Sequence, residues 1–218
     1  VTDPLDPLAA AAGPLLRRVD TVLAQEGAAA GDPVWPLVRR VGALPSGAVT
    51  AVAGWHAAPL GAAAGPLRAL AREYAGAVDS VPGQVAWEGA SAEAYGRQWR
   101  ALRAHLVGPG TESVAGRFDH TAAYLDATAE WVTRSRLALA RALADVLGSA
   151  EAVALETGLE PAGPAAARVA VHVLAPVAAS CDEGWKLHDD WDARLAELPY
   201  QPPPAAPASS RGVVRLGD

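Results

Sequence analysis

The sequence predicts an all-α fold, an elongated antiparallel helical bundle, on three observations. Strand signals are nearly absent: β-branched residues are few and scattered, and no clear period-2 run appears. Ala, Leu, Arg and Glu dominate, all good helix formers, within a chain that is 51% hydrophobic and so able to build a core. Apolar residues recur at helical spacing along most of the 218 residues, and in one stretch at a strict interval of seven.

The first helical segment runs from about Asp3 to Gln25, with Leu8, Leu15, Val19 and Leu23 on one face and Gly13-Pro14 as a kink or break. Asp32-Pro33 starts a short second helix, with Asp as cap and Pro in the first turn. It presents Val34, Leu37, Val38 and Val41, and Pro45-Ser46-Gly47 is read as its end. The next helical region spans Ala57 to Val81, with Pro66 near its true start and Leu67, Leu70, Tyr74 and Val78 as a stripe. Pro82-Gly83 stops it.

Beyond Trp87-Glu88-Gly89 another helix carries Tyr95, Trp99, Leu102 and Leu106 at spacings of 4, 3 and 4, until Gly108-Pro109-Gly110. The longest helix begins near Thr111, whose hydroxyl is expected to cap it, is broken at Gly158, and reaches roughly 60 Å at 1.5 Å per residue. Phe118, Leu125, Val132, Leu139 and Val146 stand seven apart along it as a helix-packing seam. Ala122, Ala129 and Leu143 fill companion positions, and Arg136 interrupts them. A last helix presents Val169, Val173, Val177, Cys181, Trp185, His188, Trp191, Leu195 and Leu198, with a kink expected at Pro176. The organisation is therefore a helical segment over 1–46, a hairpin and long heptad helix over 47–160, a C-terminal helix over 161–198, and a Pro/Ala-rich tail over 199–218. The tail has too little apolar content to pack and reads as a flexible linker.

Charge and composition narrow the function. The net charge is -6, and scattered arginines give no basic stripe for nucleic acid. The absence of Met, Ile and Asn, with Lys186 the sole lysine, points to a GC-rich, actinobacterial genome. Val41 to Leu67 lacks charge but is mostly Ala and Gly, broken by Pro45, Pro59 and Pro66, so no membrane span is expected there. No phosphate loop, dinucleotide fingerprint, His-Glu-x-x-His or Cys-x-x-Cys motif is present. His188-Asp189-Asp190-Trp191-Asp192 reads as a solvated face, and Cys181 as a structural thiol on the apolar stripe. The expectation is a protein that is not an enzyme and uses no metal or cofactor.

The string Trp87-Glu-Gly89-Ala-Ser-Ala-Glu-Ala-Tyr95, with Trp99 one turn on, resembles the W-x-G superfamily of type VII (ESX) secretion. Gly89 supplies a residue able to take positive φ where the chain reverses, and Trp87 is an amphipathic side chain suited to a half-exposed tip. The resemblance covers about Ala57 to Leu147 and implies a helical hairpin with Trp-x-Gly at its tip. It also implies a secreted substrate or secretion partner, cytoplasmic before export and then secreted or at the cell surface. Trp87, Gly89, Tyr95 and Trp99 would contact a helical partner or the secretion machinery, in a hetero- or homodimer. The family's Tyr-x-x-x-Asp/Glu export signal is not found: Tyr74, Tyr95 and Tyr124 are followed four residues on by Val78, Trp99 and Thr128. An N-terminal trafficking or adaptor domain of a larger effector or toxin, and an intracellular helical scaffold, are the alternative readings.

Overall fold

The computed structural model describes residues 3–83, 86, 88–158, 161–195, 200 and 202, and the elements among them are all helical. In chain order they are α1 (Leu5–Gln25), α2 (Val34–Val41), α3 (Pro45–Ala53), α4 (Ala57–Ser80), α5 (Ala90–Val107), a 3-10 turn at Gly110–Glu112, α6 (Val114–Leu147), α7 (Ala150–Thr157) and α8 (Ala162–Asp192). They divide into two compact units, one of Val1–Ala62 with Leu125–Trp191, the other of Ala63–Tyr124 with Asp192–Asp218. The units do not follow the sequential segments expected above, because residues 1–62 fold with residues 125–191.

The first unit holds a large aliphatic core. Leu5, Leu16, Val19, Val34, Val52, Leu139, Leu143, Leu155, Val169, Val173 and Leu174 lie within it, drawn from α1, α2, α3, α6, α7 and α8. Burying a side chain of this size contributes on the order of 1.5–3 kcal/mol before conformational entropy is charged against it. α1 packs on α3 and α7. α8 contains an 18-residue window with mean hydropathy 1.3, long and apolar enough by composition to cross a bilayer, yet more than half of that window is buried inside the protein. Val169, Val173 and Val177 spend that apolar face on the core.

Four local expectations are corrected. Pro45-Ser46-Gly47 does not end α2, which stops at Val41 with Gly42 left-handed; Pro45 instead opens α3 at a position where its missing N–H costs nothing. Pro66 lies inside α4, which begins at Ala57. Thr111 is not the cap of the long helix. The 3-10 turn intervenes, and Ser113 accepts from the Gly116 N–H at 3.0 Å while its own hydroxyl donates to the Gly108 carbonyl at 2.6 Å. Finally, that helix ends at Leu147 rather than near Gly158, because Ser149 starts α7 by accepting from the Ala152 N–H. At 34 residues α6 is about 51 Å long.

α3 buries Ala48, Val49 and Val52 in the core and is met at both ends by distant charges. It contains no ionisable residue of its own. At its start, Asp20 of α1 accepts from both the hydroxyl and the backbone N–H of Ser46. At its end, Arg136 of α6 donates to the carbonyls of Val52, Ala53 and Trp55. The helix's orphan donors and acceptors are thus met by side chains far away in sequence.

The second unit is built differently. Its buried residues among those described are Ala64, Ala71 and Val78 of α4, Ala115 and Ala122 of α6, and Ser113. The α4 set recurs every seven residues, as does the α6 pair, and Tyr74 packs on Phe118 with ring centroids 5.7 Å apart. α5 has no fully buried residue.

Candidate interaction surface

The residues singled out from the sequence fall into both units. Trp87 lies outside the described residues. Gly89 sits just before α5 with φ 92° and ψ -169°, a region open essentially to glycine alone, so any other residue there strains the entry into the helix. Tyr95 is half-buried and donates its hydroxyl to the Pro82 carbonyl at 2.8 Å. Trp99 lies over Gly83, where a Cβ would stand 3.2 Å from the indole Nε1. Arg103 reaches Asp79 at 3.1 Å. The stretch of α5 from Tyr95 to Arg103 is therefore held to the end of α4 and to Pro82-Gly83. Tyr95 and Trp99, expected to contact a partner, thus make contacts within the chain.

Of the seam, Phe118 belongs to the second unit and is half-buried against Tyr74. Val132, Leu139 and Val146 are buried in the first unit, and Leu125 is half-buried. These five residues stand on one helix but serve two separate sets of neighbours. Arg136, read from the sequence as an interruption, is 5% exposed. Its Nε donates to Asp3 and its Nη2 to Asp6 Oδ1 at 2.7 Å, besides the three carbonyls at the end of α3. Burial opposes the charge on Arg136, but the hydrogen bonds it donates to Asp3 and Asp6 outweigh this and hold the guanidinium above its ordinary pKa. Asp3 is pulled below the usual carboxylate range, first by the Leu5 N–H that its Oδ1 accepts, against a partial burial that raises it, and further by Arg136.

What the second unit lacks in core it shows on its surface. Leu70, Tyr74, Val81, Leu102 and Tyr200 are each 36–40% exposed, while no buried residue described in that unit is larger than valine. Tyr200 stands edge-on to His105 of α5, with centroids 5.1 Å apart. In the stripe expected along α4, Val78 alone is fully buried; Leu70 is exposed, and Tyr74 stays partly exposed although its ring packs on Phe118. Only side-chain exposure could separate them, since spacing assigns all four to one face.

A concavity of about 350 Å³ in the first unit is lined by Asp145, Val146, Ser149, Glu151, Arg168, Val169 and His172. It brings together serine, histidine and aspartate, but not in a nucleophilic arrangement. The Ser149 hydroxyl donates to the Val146 carbonyl at 2.7 Å and accepts from Ala152, which makes it a helix cap. His172 faces Asp145 at 3.4 Å, and Arg168 is paired with Glu151 at 2.9 Å. Cys181 is half-buried against the core, and burial followed by the neighbouring Asp182 charge pushes its thiol up, away from the reactive thiolate. Among the described residues no three His, Cys, Asp or Glu side chains converge as metal ligands. Comparison with known proteins gives no match among family models, curated proteins or solved structures.

Proposed function

We propose that this chain is a non-enzymatic helical protein that works through protein–protein contacts made by its second unit, as a substrate or partner of type VII-like secretion. The observation that carries the contact reading is the imbalance in that unit: five large apolar side chains on the surface above a core of alanines and one valine. Large apolar side chains left exposed over so small a core suit a place where another protein completes the packing. A helical partner suits it, because α4 carries exposed Leu70 and Tyr74 and α5 carries exposed Leu102, side chains that the apolar stripe of another helix can cover. The secretion assignment rests on the Trp87-Glu88-Gly89 sequence and the small residues and aromatic after it, together with the glycine-only backbone at Gly89. The protein would be made in the cytoplasm and exported.

A second reading, an adaptor domain on a larger effector, draws on the Pro-rich stretch that follows α8. Affinity capture with the chain as bait, from cells carrying the secretion system, tests both. Leu70→Glu with Leu102→Glu should abolish capture of a helical partner while leaving the melting temperature within a few degrees. Trp87→Ala should weaken capture or export with a similarly small change in melting. Unchanged capture by all three substitutions removes the contact reading. Partner binding without any export sinks the secretion part alone.

A further inference from the structure

The strongest unexplained arrangement lies at the start of α1. Asp3 and Asp6 both reach Arg136, yet their side chains are 42% and 67% exposed, whereas that of Arg136 is 6% exposed. The cation is built into the unit by three backbone carbonyls, and its carboxylates come from the start of α1, Asp6 in the first turn and Asp3 just before it. That turn is joined to the remainder of α1 through Gly13-Pro14. Pro14 has no N–H for the Ala10 carbonyl, so the helical ladder is weakest there. N-terminal to this point, full burial is limited to Leu5 and Ala12, with Leu8 and Ala9 partly covered. C-terminal to it, Leu15, Leu16, Val19, Val22 and Leu23 anchor the helix in the core.

We propose that residues 3–13 form a releasable strap. It opens as a unit about Gly13-Pro14 while the rest of the first unit stays folded, and opening uncovers the seat of Leu5 and the carboxylate-binding edge of Arg136. The two aspartates are the fastener. Asp3 does double duty, since Oδ1 caps the helix start and Oδ2 takes the guanidinium, so losing it loosens both the turn and its attachment.

Hydrogen exchange read by mass spectrometry on the full chain tests this. Asp3→Asn with Asp6→Asn should speed exchange of amides in residues 5–13 by roughly tenfold or more, with residues 169–177 of α8 unchanged. Pro14→Ala should act in the opposite direction, because the restored N–H closes the ladder and slows exchange in the same residues. Should the double variant fold poorly, Asp6→Asn alone, compared with the natural chain at low and high salt, gives the same comparison. Uniform acceleration across α1, α6 and α8 would show that the clasp is part of the global fold, and an unchanged strap would show that the aspartates fasten nothing; either overturns the proposal.

Discussion

A Cβ added to Gly184 would stand 2.7 Å from Cζ2 of Trp131. The indole lies across the α8 backbone at that point, and its Nε1 donates to the Ser180 carbonyl at 2.9 Å, one turn earlier. On its other side the ring meets Trp55 at 4.9 Å between centroids. Trp131 is therefore fixed by a hydrogen bond and a second tryptophan, and cannot easily yield. Gly184→Ala should gain about 1 kcal/mol of helix propensity yet lose about 1–3 kcal/mol to overpacking. A net loss on urea denaturation is expected, with an unchanged m-value. A stabilised variant would mean the ring moves freely.

Arg136→Met should be among the most damaging single changes. It leaves the carbonyls of Ala53 and Trp55 without their side-chain donor, strips the guanidinium from the Val52 carbonyl, which keeps the Trp55 N–H, and removes the partner of Asp3 and Asp6. The expected cost is about 3 kcal/mol or more, from unsatisfied buried acceptors. Arg136→Lys should recover only part of this, since one ammonium cannot serve both the carbonyls and two carboxylates in the guanidinium's fork. Equal stability of the lysine variant and the natural protein would argue against the clasp geometry.

Acid should loosen the same contact. The Asp3 carboxyl is held below its ordinary range in the folded chain, first by the Leu5 N–H and then by Arg136. A carboxyl with a depressed folded pKa binds fewer protons when folded than when unfolded. Its stabilisation is thus fully present above its unfolded pKa, about 3.9, and is lost as pH falls through the lower folded value. Thermal melts at a series of pH values should show an acid limb that is shallower in Asp3→Asn than in the natural protein. Coincident limbs would rule out an ionised Asp3 as a contributor.

Ser113→Ala should release the start of α6. The residue is fully buried, caps the helix through the Gly116 N–H and satisfies the Gly108 carbonyl. Loss of the cap costs about 1 kcal/mol, and the stranded carbonyl adds to it. The backbone packs tightly at this start, because a Cβ on Gly116 would stand 1.7 Å from the Gly110 carbonyl oxygen. Circular dichroism melts of Ser113→Ala and Ser113→Thr should separate, the threonine retaining more of the cap. Identical melts of both variants and the natural chain would discount the hydroxyl.

The sequence by itself determined the helical class and the approximate position of most helices, because those depend on local periodicity and on glycine and proline chemistry. The positive φ at Gly89 and the buried set Val132, Leu139 and Val146 follow from such signals. It could not determine α3. That helix is short and chargeless, and its caps come from Asp20 and Arg136, 26 and 84 residues away from the groups they meet. Nor could it separate Val78, buried, from Leu70 and Tyr74, exposed, since equal spacing places all three on one stripe and only the neighbouring helices decide which are covered. Arg136 shows the same limit most plainly: in sequence it breaks a heptad pattern, and in the fold it joins the first turn of α1 to the last turn of α3. Local interactions set where this chain is helical, and charges and packing between distant segments decide which helices persist and which apolar faces remain open.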